Sequence, residues 1–152
     1  MLESVECIIP KIFKPCEGLH KQVYETAQEV VSQLRKEEQI PIFIGNYENT
    51  SGTICSQAGG HHGYLTPNTD KTRTDIMISE DLVWYPFTLF NVILHEILHS
   101  LGLDHNNGEP GLMSYAVTAS SWFGSVVNDC KRLYLSVDDL KGLKESCKYF
   151  IK

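Results

Sequence analysis

The stretch of this 152-residue chain with the means to do chemistry is His95-Glu96-Ile97-Leu98-His99-Ser100-Leu101-Gly102-Leu103-Asp104-His105. On a helix, His95 and His99 share one face, about 40° from each other. Two imidazoles so placed can hold one tetrahedral zinc ion. Gly102 permits the left-handed turn that ends such a helix. The returning chain then brings His105 in as a third nitrogen ligand. Three neutral ligands leave a fourth position for water, within reach of Glu96. Zinc lowers the pKa of a bound water to about 7 and polarises a carbonyl. Glu96 then takes the water's proton and passes it to the departing amine, as general base and then acid. Amide hydrolysis is the natural reaction.

Accident is a poor explanation of this pattern. With this composition, HExxHxxGxxH arises by chance somewhere in the chain on the order of once in twenty thousand. A merely structural core helix would also gain nothing from two histidines and a glutamate, because unpaired polar groups are costly inside.

Positioning such a site takes a compact frame. Cys7–Phe13 reads as a short strand, with Pro10 suggesting an edge or bulge. From Leu19 to about Lys36, Leu19, Val23, Ala27, Val30, Val31 and Leu34 recur at helical spacing, opposite Lys21, Glu25, Glu29 and Lys36. Ile40–Ile44 reads as a buried strand. Short strands are expected at Thr53–Ser56 and Gly63–Thr66, and another at Asp75–Ser79. Pro86 suits a first helical position, and Phe87–Leu101 is a strongly apolar helix stopped by Gly102. Asp104 to about Tyr134 shows no sustained period and should be mostly loop. A last helix opens at Ser136, with Asp139 as a loose capping box and Val137, Leu140, Leu143 and Cys147 as its apolar face. One α/β domain over residues 1–152 accommodates these elements.

Composition narrows the function classes. Lys+Arg 13 against Asp+Glu 19 leaves a net charge of −6, a poor match to a phosphate backbone, so no nucleic-acid partner is expected. No apolar run is long enough to span a membrane. The N-terminus as written carries two acids and no basic region, so it is not a secretory signal. The five cysteines include no CxxC pair, which argues against a cysteine zinc knuckle, and at most two disulfides can form. Cys130 and Cys147 flank the last helix and could pair in an oxidising compartment.

HExxHxxGxxH followed by a methionine is the metzincin signature, and within that clan the chain resembles the matrixins, the matrix metalloproteinase catalytic domain. His99–His105 (HSLGLDH) is a matrixin-like run, and Met113 in Gly111-Leu112-Met113 falls at the Met-turn. Leu135–Leu143 (LSVDDLKGL) resembles the opening of the family's C-terminal helix. The resemblance implies a zincin-like α+β fold: a twisted mixed sheet, a backing helix, an active-site helix and a C-terminal helix. It implies one catalytic zinc on His95, His99 and His105, Glu96 as catalytic base, and Met113 under the metal site. It also implies an extracellular setting and a protein or peptide substrate bound extended along a sheet edge. Gly63, Tyr64 and Leu65, before Thr66-Pro67, are the candidate edge, while Ser114, Ala116 and Val117 would form one wall of the specificity pocket. The expected state is a monomer.

The departures from that family carry their own expectations. Leu98 stands where matrixins usually have Gly, and Asn106 where they have Ser. The structural-zinc loop is absent and Met77 occupies the place of a structural-zinc histidine, so a second zinc is not expected. His61 and His62 read as exposed or substrate-adjacent, and His20 as a surface residue. Tyr115 follows Met113 by two, similar to astacins and serralysins, in which this hydroxyl approaches zinc and steadies the oxyanion; a tyrosine lining the pocket wall is the other reading. Cys16 resembles the family's inhibitory pro-segment cysteine but lacks its flanking pattern. Asp70, Glu80 and Asp81 could bind calcium, as in matrixins, yet no defined loop surrounds them and a solvated acidic face is the better reading.

The chain is therefore expected to be a zinc endopeptidase. Two rivals remain: a catalytically silent descendant that binds a partner through its cleft, and a zinc hydrolase with a non-peptide substrate. Glu96 speaks against the first, because a silent relative has no need of a base beside its ligand. The candidate edge strand speaks against the second.

Overall fold

The computed structural model describes residues 11–36, 42–44, 52–58, 63–67, 74–81, 84, 86–105, 112–113, 135, 137–139 and 141–142. They form β1 (Lys11–Pro15), α1 (Lys21–Lys36), β2 (Ile42–Ile44), β3 (Gly52–Gln57), β4 (Gly63–Pro67), β5 (Thr74–Ser79) and α2 (Pro86–Ser100). The strands make one five-stranded sheet in the order β2-β1-β3-β5-β4. β1 runs parallel to β2 and β3, and β3 parallel to β5. β4 is the exception. It pairs antiparallel with β5, Gly63 opposite Ile78 and Pro67 opposite Thr74, and forms an edge of the sheet. This is the mixed α+β architecture expected, with both ends of Gly63–Thr66 inside the edge strand.

α1 lies against β2 and β3, α2 lies against β4 and β5, and the helices touch each other, so both cover one face of the sheet. Ile76 and Ile78 of β5 alternate toward that face. With Phe13 and Ile54 they join Val23, Ala27, Val30 and Leu34 of α1, and Leu89, Ile93, Leu94 and Ile97 of α2, in one core. α1 starts at Lys21 rather than Leu19 because the chain first turns, Leu19 N donating to Cys16 O. The His20 N–H is taken up by Ser56 Oγ at 2.8 Å, and Ser56 Oγ in turn donates to Gly18 O, which ties the head of α1 to β3. Cys16 and Cys55 are joined by a disulfide, their Cα atoms 5.3 Å apart. Cys16 thus belongs to the frame of the sheet, a pairing the sequence did not indicate. Cys7, Cys130 and Cys147 lie outside the described residues.

Two surface expectations can be compared directly. His20 is exposed and lies 3.2 Å from Glu80. Val137, expected on the apolar face of the last helix, is instead 59% exposed, while Asp139 is buried. The first turn is thus rotated so that Asp139 rather than Val137 faces inward. No helix among the described residues is long and apolar enough to cross a membrane.

Candidate metal centre

α2 is sheathed on all sides: every residue from Thr88 to Leu98 is buried. Its sequence reads as a core helix except at a few polar positions, and two of these, His95 and Glu96, are only 5% and 6% exposed. The helix ends in a Schellman turn, Leu103 N donating to Leu98 O and Gly102 N to His99 O. Gly102 takes φ 102°, a conformation that side chains rarely adopt. The turn redirects the chain toward its own helix and brings His105 back over His95 and His99.

The three Nε2 atoms converge. His99 Nε2 is 2.9 Å from those of both His95 and His105, and His95 and His105 are 3.2 Å apart. No hydrogen bond accounts for the closeness of His95 to His99. His95 Nδ1 donates to Leu112 O and His99 Nδ1 to Leu103 O, each at 2.6 Å. Each ring spends its proton on the outer nitrogen, so the inner nitrogens of His95 and His99 present bare lone pairs to one another. Lone pairs at that separation repel unless they share a cation. A tetrahedral zinc with nitrogen ligands at about 2.0–2.1 Å sets those ligands roughly 3.4 Å apart, close to this triangle. The donor set therefore fits zinc, and the outer hydrogen bonds raise the basicity of the ligands.

The electrostatics agree. Burial lowers the pKa of His95 to about 4, helped by the neighbouring His99 and His105 and opposed by the bond to Leu112. His105 is lowered too, chiefly by burial and then by His99. Both shifts favour the neutral imidazole of His95 and His105, the form that binds metal. Burial alone pushes Glu96 up to about 7.

Leu112 and Met113 are both buried in the core that α2 shares, and the Leu112 carbonyl ties this turn to His95. The sequence could not have disclosed the Leu112 and Leu103 carbonyls, since every residue carries one. Among the described residues, His95, His99 and His105 form the group able to hold a metal ion. Gly63 begins β4 beside Glu96, and Tyr64 and Leu65 continue that strand. Ser114, Tyr115, Ala116 and Val117 lie outside the described residues, as do His61, His62 and Asp70.

No curated protein matches this chain significantly. The Matrixin family model matches residues 21–146, from the first turn of α1 through the converged histidines and beyond. That match covers far more than half of the chain, and both helices, the edge strand and the histidine triangle sit within it: the chain belongs to the matrixins, a family of zinc-dependent metalloproteases.

Proposed function

We propose that this chain is an endopeptidase in which His95, His99 and His105 hold a single zinc ion and Glu96 is the general base. The observation that carries the reading is the pairing of three inward-facing Nε2 atoms with a buried carboxylate on the adjoining helical position. Bound zinc supplies Lewis acidity, acidifying a water and polarising the scissile carbonyl. Glu96 accepts the attacking water's proton and delivers it to the departing amine nitrogen. The peptide lies extended along β4, whose outer backbone groups have no strand beyond them among the described residues. Met113, buried in the core that α2 shares, backs the metal centre.

The test is cleavage of a mixed peptide library, read by mass spectrometry, by zinc-loaded protein and by Glu96→Gln. Expected are cuts that fall by about 10²–10⁴-fold in the variant while zinc stays bound. Zinc binding by both proteins with cleavage by neither would overturn the enzymatic reading and favour partner capture in the cleft.

A further inference from the structure

A general base must be held still, and hydrogen bonding does not do this for Glu96: none reaches its carboxylate among the described residues, and burial alone perturbs it. What packs on its aliphatic stem must fix it instead. The backbone of Gly63, which pairs with Ile78 across the sheet, comes up against that stem, and Val92 of α2 and Ile78 of β5 crowd the same side of Gly63. A methyl group on Gly63 would stand 3.2 Å from Glu96 Cγ, 3.0 Å from Val92 Cγ1 and 3.2 Å from Ile78 Cδ1. All three separations fall inside ordinary carbon contact of about 3.5–4.0 Å. Gly63 does not take the positive φ that Gly102 does, so the space a side chain would need, rather than backbone conformation, explains the glycine. Val92 and Ile78 are 2% and 0% exposed and have nowhere to retreat. Glu96, with more rotatable bonds than valine or isoleucine, is the neighbour whose stem would yield most.

We propose that Gly63 is a positioning residue whose bare backbone lets β4 close on the Glu96 stem and aim its carboxylate at the histidine triangle. The strand offered to the substrate is then the strand that seats the base, so a peptide added to β4 docks directly on that support. This inference rests on Glu96 acting as the base.

The experiment is a cycle of Gly63→Ala, Glu96→Ala and the double variant. In metal-free protein, thermal denaturation of Gly63→Ala is expected to show a lowered Tm. That loss should shrink in the Glu96→Ala background, where Cγ is gone and only the Val92 and Ile78 contacts remain. Zinc-loaded Gly63→Ala is expected to keep its zinc and hold KM within about twofold while kcat falls about 10- to 100-fold, the scale of a slightly misplaced catalytic group. An equal Tm penalty in both backgrounds, or an unchanged kcat, would overturn the proposal. Should Gly63→Ala alone fail to fold, a folded double variant supports the proposal and an unfolded one overturns it. A wild-type protein that binds zinc and cuts nothing marks failure of the proteolytic reading, and the metal-free cycle reports on the Gly63–Glu96 contact regardless.

Discussion

α1 and α2 are nearly equal in length, 16 and 15 residues, and pack against each other, yet they meet water differently. α1 keeps one stripe inside, Val23, Ala27, Val30, Val31, Gln33 and Leu34, and turns Lys21, Glu25 and Glu29 outward. Apart from the buried Gln33, its charged groups face water, and its stability comes from one largely apolar face. α2 has no wet face through its middle and still carries an imidazole and a carboxylate there. Desolvating such groups costs free energy that packing elsewhere must offset. The comparison separates a helix that supports from a helix that is stabilised so that it can hold reactive groups.

The largest break in that contrast is His99→Ala. Losing one of three ligands should weaken zinc binding by about 10³-fold or more and abolish cleavage, read by metal analysis after dialysis and by peptide assay. Ser32→Ala on the exposed side of α1 should leave both unchanged.

A sharper measure is stability against pH in metal-free protein. Glu96 is raised from 4.5 to about 7, so its contribution is fully present below pH 4.5 and is lost as pH rises through 7. His95 is depressed from 6.5 to about 4, so its contribution is present above pH 6.5 and is lost as pH falls through 4. The two slopes oppose each other between pH 4.5 and 6.5. Glu96→Gln removes only the first. The metal-free variant should therefore gain on the wild type progressively from pH 4.5 to 7, reaching roughly 3 kcal/mol at pH 8, and match it below pH 4.5. Urea denaturation at pH 4, 6 and 8 with chelator is the check; a constant difference would mean that Glu96 is not the desolvated group.

The smallest expected effect lies at the end of α2. Gly102→Ala should cost about 1–2 kcal/mol because alanine resists a left-handed conformation. It should also loosen zinc by misdirecting His105, seen as a lower Tm together with faster metal loss to chelator. α1, which is followed by no such ligand, has no counterpart to this double effect.

The convergence of the three histidines was legible because its geometry is local. Helical spacing put His95 and His99 together, and Gly102 foretold the turn that returns His105. The strands and both helices were legible from alternation and periodicity, with ends displaced by a residue or a few, as at Lys11–Pro15 and Lys21. What escaped was non-local. Nothing near Cys16 names Cys55, which lies 39 residues on and becomes its neighbour only when β1 pairs with β3. Nor does Gly63 announce Glu96, since their approach depends on an antiparallel edge strand folding under α2. Val137 misled because a helix's rotation about its axis follows from what it packs against, not from one apolar side chain.

The turn after α2 has a consequence for how the site comes into being. All three inward nitrogens belong to residues 95–105, so gathering them closes only a short loop, and the entropy of closure rises with loop length. Loops of about ten residues close in roughly 10–100 ns, long before distant strands can pair. The metal can thus be captured by the end of one helix and its turn while the sheet is still assembling. Bound there, it would bias the chain toward the conformation in which α2 is complete, making the ion a participant in folding as well as in the finished site.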